Sequence, residues 1–468
     1  MTRLLVAAGI AALVFAPRPA VLAAPQVPAN QSEDALIKKA RAIHDRVIAL
    51  DTHNDISPND FTPERNYTQD LDTQVNLPKM VSGGLDASFF IVYVGQGPLT
   101  PEGFDSAYKE AVSKFDAVHR LTEKIAPDKI GLALTAADVR QIHASGKKVA
   151  LIGVENGYPL GDASTAVKRV KEFFDRGARY LSLAHNGHSQ LADSNTGEAS
   201  GEWMHNGLSD LGKQVIAELN RVGIMVDLSH PSKQANLQAI ALSKAPVIAS
   251  HSSARALCNH SRNMDDELLE ALKKNGGVVQ TVAFATYVKT PPPASPERTA
   301  ALAKLEQDFG LPANSLGRGG RGGGGGRGRG AAPAGAPAPA GAADAAGRGR
   351  GRGNPLAQLS EEKRAEVQTQ LDEINKKFPP PPRANVQDFV NHIDYLVKKI
   401  GIDHVGISSD FDGGGGVDGW NSAAETFNVT LELVRRGYTE QQIGKIWSGN
   451  LLRVMEEVRQ VSLKLQKK

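Results

Sequence analysis

The chain has only one cysteine, Cys258, among its 468 residues. A single cysteine cannot form an intrachain disulfide, so an exported form of this protein needs a large core or a bound metal to hold it together. No cysteine lies directly after the apolar N-terminal stretch, and we therefore do not expect a lipid attached there.

Long apolar runs are also scarce. No segment is apolar over 18 consecutive residues, and the stretch Leu4–Ala16 is short for a membrane span. A positive residue precedes this stretch and the site Val21-Leu-Ala23 follows it, which predicts a secretory signal peptide over residues 1–24. An uncleaved membrane anchor is the alternative. We expect an exported protein, periplasmic or secreted, that is soluble and has no stable membrane insertion after cleavage.

The chain also lacks a large excess of charge of either sign, since it has 54 Lys and Arg residues and 51 Asp and Glu residues. This balance hides one basic segment, the Gly/Arg tract of residues 317–355, which holds seven Arg and one Asp. With almost no apolar side chains to bury, the tract is predicted to be a disordered, solvated linker. It lacks the aromatic residues on which bases stack, so no nucleic-acid partner is expected. Binding to an anionic cell surface is a further alternative.

Outside this tract, strand-like apolar runs alternate with helix-length segments such as the amphipathic Ala163–Arg176 and Asp210–Val222. This alternation is typical of a parallel sheet covered by helices, and eight strands is the number that closes a TIM barrel. We therefore predict an α/β fold, a (β/α)8 TIM barrel, with an open doubly wound sheet as the alternative. The predicted strands are Val47–Asp55, Leu85–Val94, Lys148–Glu155, Ala178–His185, Gly223–His230, Ala245–His251, Gly276–Phe284 and His404–Asp410.

A long insertion divides the predicted barrel. Residues 42–289 and 383–460 are assigned to the barrel, and residues 25–41 to an N-terminal tail. Residues 290–382, which include the Gly/Arg tract, are predicted to form an insertion between the seventh and eighth strands, because their composition breaks the alternation.

Polar side chains stand where the predicted strands end. The first strand ends in His53 and Asp55, which share one face because side chains alternate along a strand. Four of the 12 histidines lie at strand ends, and the C-terminal strand ends of a TIM barrel surround its active site. A single such histidine fits a satisfied core position, but four together indicate a functional site. The later strands end in Glu155, His185, His230, His251 and Asp410.

Three histidines and two carboxylates of this group suit a metal site: His53, Asp55, Glu155, His230 and His251, with His185 and Asp410 in reserve. Imidazole and carboxylate ligands without thiolate favour zinc, with manganese or cobalt as alternatives. One zinc needs only three protein ligands, so five indicate two ions, and the two oxygens of Glu155 make it the candidate bridge. Two ions that share a hydroxide hydrolyse an amide, an ester or a phosphate.

These motifs resemble those of the renal (membrane) dipeptidase family, zinc dipeptidases of the amidohydrolase barrel type. The resemblance extends from about Ala42 to Val458, without the Gly/Arg tract. The matching stretches are Asp51–Asp55, Gly153–Gly157, Leu183–Asn186, Val226–His230, Ser250–Ser253, Ser261–Asn263, His404–Gly406, Ser409–Gly413 and Gly449–Arg453.

The resemblance implies two zinc ions per chain that share Glu155. His53 and Asp55 would complete the first site, and His230 and His251 the second. Asp51, earlier on the first strand, is expected to support the ligands rather than to bind metal.

The resemblance also implies roles for three further residues. His185 would contact the substrate and polarise the scissile carbonyl, and Arg262 would clamp the free carboxylate of the substrate. Asp410 would pass a proton from the bridging water to the leaving amine. A surface salt bridge is the alternative for Arg262, and Asp412, on the same face of the strand, is the rival of Asp410.

The implied activity is hydrolysis of dipeptides, including those with a C-terminal D-residue, by a homodimer. Another metal-dependent amidohydrolase acting on a lactam, lactone or N-acyl amino acid is the alternative enzyme, and a non-catalytic binding protein is the rival class. The chain departs from the family pattern at Asn156-Gly-Tyr158, at Gly187-His-Ser189 and at Ser409. We expect these positions to line the substrate pocket and to alter side-chain preference without affecting the metal ligands.

Overall fold

The computed structural model describes residues 32–316, residue 356 and residues 359–467. The predicted signal peptide and the Gly/Arg tract lie outside the described residues. None of the helices within the described ranges combines the length and the apolar character that a membrane crossing requires.

A ring of parallel strands forms the centre of the fold. Hydrogen-bonded neighbours follow the order β1-β2-β4-β5-β6-β7-β8-β9, and β3 pairs with β4 outside the ring. The ring closes where the Asp55 amide donates to the carbonyl of Phe411 (2.9 Å), just beyond β9. This arrangement confirms the predicted (β/α)8 TIM barrel. The strands are β1 (Leu50–Asp55), β2 (Ala87–Tyr93), β3 (Ile130–Leu132), β4 (Lys148–Glu155), β5 (Ala178–Ser182), β6 (Met225–Asp227), β7 (Ile248–Ala249), β8 (Val278–Val282) and β9 (Val405–Ser408).

Helices follow the strands and surround the ring. Most begin at a side chain that caps the first turn, as Ser209 does for the amide of Gly212 (3.0 Å). The helices are α1 (Glu33–His44), α2 (Leu77–Gly83), α3 (Pro101–Arg120), α4 (Ala136–Ala144), α5 (Ala166–Asp175), α6 (Gly197–Ser200), α7 (Asp210–Val222), α8 (Lys233–Leu242), α9 (Asp266–Asn275), α10 (Ala285–Val288), α11 (Pro296–Asp308), α12 (Glu361–Lys377), α13 (Val386–Ile400), α14 (Phe427–Arg435), α15 (Glu440–Gly444) and α16 (Asn450–Leu465).

The apolar core has two layers because side chains alternate along each strand. Phe90 and Ile152 belong to the layer between the strands and the helices. Phe89 and Leu151 belong to the inner layer, and Leu151 shares its face of β4 with Gly153 and Glu155. The inner layer therefore supports the strand end that carries Glu155.

Tyr180 fills the barrel interior next to Gly153. A Cβ atom at Gly153 would lie 2.2 Å from Cζ of Tyr180, far inside a normal contact, so only glycine leaves room for this ring. Tyr180 is fully buried, and its hydroxyl donates to the carbonyl oxygen of Thr52 (3.0 Å). Gly153 thus allows a phenol to stand directly beneath the end of β1.

The N-terminal segment differs from its predicted tail-like character. Residues 33–41 of this segment belong to helix α1, which buries Ala40 and Ile43 and packs against α14. The guanidinium of Arg41 lies 3.5 Å from the ring centroid of Phe427. The spacing of apolar residues in this segment gives the helix one face to bury.

The strand bounds and the insertion also differ in detail from the sequence analysis. Strands β6 and β7 are shorter than predicted, and β3 was not predicted. Helices α11 and α12 lie within the predicted insertion and pack against each other, with Arg298 of α11 donating to the carbonyl of Phe378 (2.6 Å).

Candidate metal centre

Glu155 lies at the centre of the candidate site, at the carboxyl end of β4. Its Oε1 is 2.8 Å from Nε2 of His230 and 3.2 Å from Nε2 of His251. Its Oε2 is 3.7 Å from Nε2 of His53, which in turn lies 4.0 Å from Oδ1 of Asp55. The structure thus brings together all five side chains that were predicted to bind metal.

The two oxygens of Glu155 face different side chains. His53 lies on the Oε2 side, whereas His230, His251 and His185 lie on the Oε1 side, with His185 Nε2 at 3.7 Å. His251 is close to both sides, because its ring centroid is 3.9 Å from that of His53. Ligand atoms within 4.8 Å of one another form three overlapping groups: His53, Glu155 and His251; Glu155, His185 and His230; and His53, Asp55 and Asp410.

The site fits a metal because buried ligand atoms point into it without hydrogen-bond partners. Nε2 of His53 and Oδ1 of Asp55 are buried and, within the part of the chain that the structure describes, accept or donate no hydrogen bond. Such buried polar atoms are costly unless something compensates them. Imidazole nitrogens and carboxylate oxygens without thiolate make up the donor set, which suits a divalent cation such as zinc.

The charges of the site perturb its pKa values strongly. Burial opposes the charge of His53, but the carboxylates of Glu155, Asp410 and Asp55 outweigh it and raise its pKa to about 9. Burial and the nearby Glu155 raise the pKa of Asp55 to about 7. For Glu155, burial acts upward, but the charges of the neighbouring histidines His185, His53 and His230 hold its pKa well below the usual value. The carboxylates and imidazoles of the site therefore interact strongly through their charges.

Asp51 supports the site from below. Its carboxylate accepts hydrogen bonds from the amide of Ser409 (2.8 Å), from the Ser409 hydroxyl and from the amide of His53 (3.3 Å). These bonds tie the end of β1 to the end of β9. The carboxylate of Asp51 is thereby occupied by neighbouring groups.

Asp410 and its rival Asp412 have different surroundings. Asp410 is fully buried and belongs to the group that includes His53 and Asp55. The carboxylate of Asp412 instead accepts from the amides of Gln74 (2.9 Å) and Val75 (3.3 Å). Asp410 is therefore the aspartate of this pair that faces the candidate centre.

His185 and Arg262 line the candidate site next to the ligands. The ring of His185 packs 4.1 Å from that of His230 and 4.6 Å from that of Tyr93. Arg262 is almost fully buried, and its Nη2 donates to the carbonyl of His251 (3.2 Å). Arg262 is thus no surface residue. Burial lowers the pKa of His230, and the charge of Arg262 lowers it further.

The loop after β5 connects three of the predicted site residues. The amide of Asn195 donates to the carbonyl of His230 (2.8 Å), and its side chain donates to the hydroxyl of Ser261 (2.9 Å), beside Arg262. The hydroxyl of Ser194 donates to the carbonyl of His185. This loop therefore fixes the backbone positions of His185, His230 and the Arg262 segment relative to one another.

Among the described residues, three of the six non-glycine residues with positive φ lie at or just beyond strand ends of the candidate site. Asn156, His230 and Asp410 have φ angles of 81°, 82° and 60°, in the left-handed region that side chains disfavour. Each such residue costs about 1–3 kcal/mol and persists only where its surroundings impose it. These three residues lie in or next to the candidate centre, and such strain is common at functional sites.

Two hydroxyl groups near the histidines were missed by the sequence analysis. The hydroxyl of Tyr180 is 2.9 Å from Nδ1 of His53, and the hydroxyl of Ser250 is 2.8 Å from Nδ1 of His251. A tyrosine within an otherwise apolar strand, and a serine directly before a strand-end histidine, were the only signals available. Burial raises the pKa of Tyr180 well above its usual value, so its hydroxyl is neutral.

The departures at Asn156 and Tyr158 have a structural role. The side-chain amide of Asn156 donates to the carbonyl of Val94 (3.0 Å), and the hydroxyl of Tyr158 donates to the carbonyl of Pro98 (2.6 Å). Both side chains are buried and hold the loop after β2. They therefore contribute to the candidate site at least through this loop, which follows β2.

Comparison with known proteins agrees with this geometry. A family model described as "Membrane dipeptidase (Peptidase family M19)" matches residues 37–468. Dipeptidase aclJ of Aspergillus oryzae is 29% identical over 433 residues, which cover 90% of this chain and 80% of that protein. The crystal structure of the probable dipeptidase PvdM from Pseudomonas aeruginosa is 30% identical, with a TM-score of 0.68, and the match covers 92% of this chain and 99% of that one.

A metallo peptidase from Rhodobacter sphaeroides, solved with a phosphinate mimic of the dipeptide L-Ala-D-Ala, matches with a TM-score of 0.60. The identity is 19%, and the match covers 88% of this chain and 99% of that chain. At this identity the likeness shows a shared fold.

Proposed function

This chain belongs to the membrane dipeptidase family, peptidase family M19, and is a metal-dependent dipeptidase; from that premise we propose that two zinc ions and a bridging hydroxide carry its reaction. The observation that carries the proposal is that the two carboxylate oxygens of Glu155 face different side chains. Its Oε2 faces His53, and its Oε1 faces His230 and His251. A carboxylate so placed can bind one ion with each oxygen.

In the proposed centre, His53 and Asp55 would hold the first ion, and His230 and His251 would hold the second. When bound, the two ions supply a nucleophilic hydroxide at neutral pH and stabilise charge on the substrate. We propose zinc because the donor atoms are nitrogen and oxygen. Metal analysis of the purified protein distinguishes zinc from the alternatives, manganese and cobalt.

Three neighbouring side chains are proposed to act on the dipeptide itself. Asp410, which lies close to His53 and Asp55, accepts the proton released on attack and delivers it to the leaving amine. His185, on the Oε1 side of Glu155, donates a hydrogen bond to the scissile carbonyl oxygen. Arg262 binds the free carboxylate of the substrate, because its planar fork pairs with a carboxylate through two hydrogen bonds.

A buried arginine also separates the proposed substrate from two of the alternatives. A simple lactam or lactone offers no free carboxylate to a buried guanidinium, whereas a dipeptide does, as does an N-acyl amino acid. The C-terminal residue is proposed to include the D-configuration, and the phosphinate mimic bound by the Rhodobacter sphaeroides metallo peptidase guides the choice of L-Ala-D-Ala as a test substrate.

Export and assembly are further parts of this proposal. We propose that residues 1–24 are removed as a signal peptide, that the mature protein is periplasmic or secreted without stable membrane insertion, and that it forms a homodimer. The first point rests on the sequence pattern, and the dimer on the family. N-terminal sequencing of the mature protein and light scattering of the purified protein test these two points.

Hydrolysis of L-Ala-L-Ala and L-Ala-D-Ala, with and without a chelator, tests the proposed function. We expect chelator-sensitive hydrolysis, and Glu155→Gln should remove both bound metal and turnover because it weakens the shared ligand. The matched control is Glu306→Gln, since buried Glu306 accepts from the amides of Asn314 (2.7 Å) and Leu316 (2.6 Å) in the insertion. Full turnover and full metal content in Glu155→Gln would refute the shared-ligand mechanism.

Arg262→Lys tests the carboxylate clamp separately. We expect a raised KM for dipeptides, because an ammonium forms a weaker pair with a carboxylate than the guanidinium fork. Dipeptides whose C-terminal carboxylate is replaced by an amide should be poor substrates of the wild type and of Arg262→Lys. The substitution should change their hydrolysis little, because they offer Arg262 no carboxylate. The control is Arg46→Lys, since exposed Arg46 makes a similar two-bond pair with Glu440 away from the barrel mouth. An unchanged KM in Arg262→Lys would remove this residue from the substrate site.

A further inference from the structure

His53 and His251 are oriented in the same way within the candidate centre. Each directs Nε2 towards Glu155, at 3.7 Å and 3.2 Å respectively. Each directs Nδ1 towards a buried hydroxyl group, that of Tyr180 for His53 and that of Ser250 for His251. A hydroxyl carries one hydrogen, so the group on its other side decides whether it donates to the imidazole or accepts from it.

On the Tyr180 side, the second neighbour is the carbonyl oxygen of Thr52, at 3.0 Å. A carbonyl oxygen can only accept, so the phenol hydrogen points to Thr52. The phenol oxygen is then left to accept a hydrogen from Nδ1 of His53. Nδ1 of His53 therefore carries a hydrogen, which leaves Nε2, on the side of Glu155, as the nitrogen that binds a metal ion once its own proton is displaced.

On the Ser250 side, the second neighbour is the carboxylate of Asp227, with Oδ2 at 2.7 Å from the hydroxyl. Asp227 is held in place by the amides of Ser250 (2.8 Å) and Ser229 (3.0 Å), which both donate to its Oδ1. Ser250 also hydrogen-bonds to the Tyr180 phenol, but an ionised carboxylate is the stronger acceptor and takes the hydrogen. The Ser250 oxygen therefore accepts from Nδ1 of His251.

We propose that Tyr180 and Ser250 are positioning residues that hold His53 and His251 in the tautomer that presents the Nε2 lone pair to the metal. The inference rests on the proposed function, since it concerns the same metal ligands. Histidine ligands commonly donate their second N–H to a carboxylate, a carbonyl or water. Here a neutral hydroxyl takes that position for both histidines, and Gly153 provides the space for one of them.

The test compares zinc affinities of metal-free proteins in competition with a chromophoric chelator. Tyr180→Phe and Ser250→Ala each remove one oxygen, and each removes the hydrogen-bond partner of a different histidine. Tyr395→Phe and Ser462→Ala are matched controls, because these hydroxyls donate to Asp266 (2.6 Å) and to the carbonyl of Arg221 (2.7 Å), away from the strand ends. Thermal unfolding of the metal-free proteins verifies that each variant is folded.

We expect zinc to bind about 10- to 100-fold more weakly to Tyr180→Phe and Ser250→Ala, the usual effect of removing such a supporting hydrogen bond. The visible spectrum of the cobalt-substituted protein should change in both variants and remain unchanged in both controls. Wild-type zinc affinity with an unchanged cobalt spectrum in both variants would overturn the inference, as would equal losses in the controls. If the unmodified protein binds no zinc, the proposed function falls and this inference falls with it.

Discussion

Gly153→Ala tests whether the barrel interior positions the candidate metal centre. The added Cβ would lie 2.2 Å from Cζ of Tyr180 and 2.5 and 2.7 Å from Cε1 and Cε2. The ring is fully buried among side chains of the inner core layer, so it can clear the methyl group only by leaving its position. Its hydroxyl then loses the hydrogen bonds to His53 and to the Thr52 carbonyl.

Two effects set the size of this perturbation. Forcing an extra methyl group into a filled core costs about 1–3 kcal/mol. Each buried hydrogen bond that is lost contributes about 1 kcal/mol. We therefore expect the free energy of unfolding of the metal-free protein to fall by about 3–5 kcal/mol, and zinc affinity to fall as well because His53 loses its support.

Urea unfolding and zinc titration measure these two losses. Gly444→Ala is the control, because its added Cβ would lie 3.6 Å from Cγ1 of Val47 in an ordinary contact and should stabilise α15 by up to about 1 kcal/mol. Combined with Tyr180→Phe, the loss from Gly153→Ala should be less than additive, since both changes remove the same hydrogen bonds. An unfolding midpoint and a zinc affinity equal to those of the wild type would refute the reasoning.

Three further predictions follow from the geometry and the charges. His251→Ala should lower the metal content measured by elemental analysis together with turnover, and full retention of both would exclude His251 from the centre. Zinc affinity, measured by competition titration, should rise about tenfold per pH unit from pH 7 to pH 9. The reason is that the pKa of His53 is raised to about 9, so zinc must displace the proton that His53 carries. A zinc affinity that does not change with pH would contradict this prediction. Thermal stability should fall below about pH 6.5, since burial lowers the pKa of His44 and His392, and the unfolded chain then binds protons that the folded chain does not. A calorimetric midpoint that is constant from pH 7 to pH 5 would contradict that prediction.

The barrel and the ligand positions could be predicted because both depend on local pattern. Apolar runs alternated with helical segments, and each run that ended in a histidine or a carboxylate placed that residue at or just beyond the carboxyl end of a strand. The strands β6 and β7 are shorter than their apolar runs, because the chain leaves the ladder before His230, whose backbone is left-handed, and before His251. Strand β3 has three residues, too few to show a periodicity.

The supporting groups could not be predicted because they depend on which side chains face each other across strands. Tyr180 reaches His53 from β5 only because the opposing position on β4 is Gly153, a pairing set by the strand register. The choice between Asp410 and Asp412 likewise depends on the loop that carries Gln74 and Val75. Helix α1 is a different case, because its amphipathic pattern was present in the sequence and residues 25–41 were nevertheless assigned to a tail.

The most direct test of the account is the metal content of the purified protein, measured on the same sample as dipeptide hydrolysis. Two zinc ions per chain are expected, because the ligand atoms fall into groups on both sides of Glu155. Removal of the metal by a chelator should abolish hydrolysis of L-Ala-L-Ala, and zinc should restore it. Fewer than one metal ion per chain, together with hydrolysis that a chelator does not affect, would contradict the account.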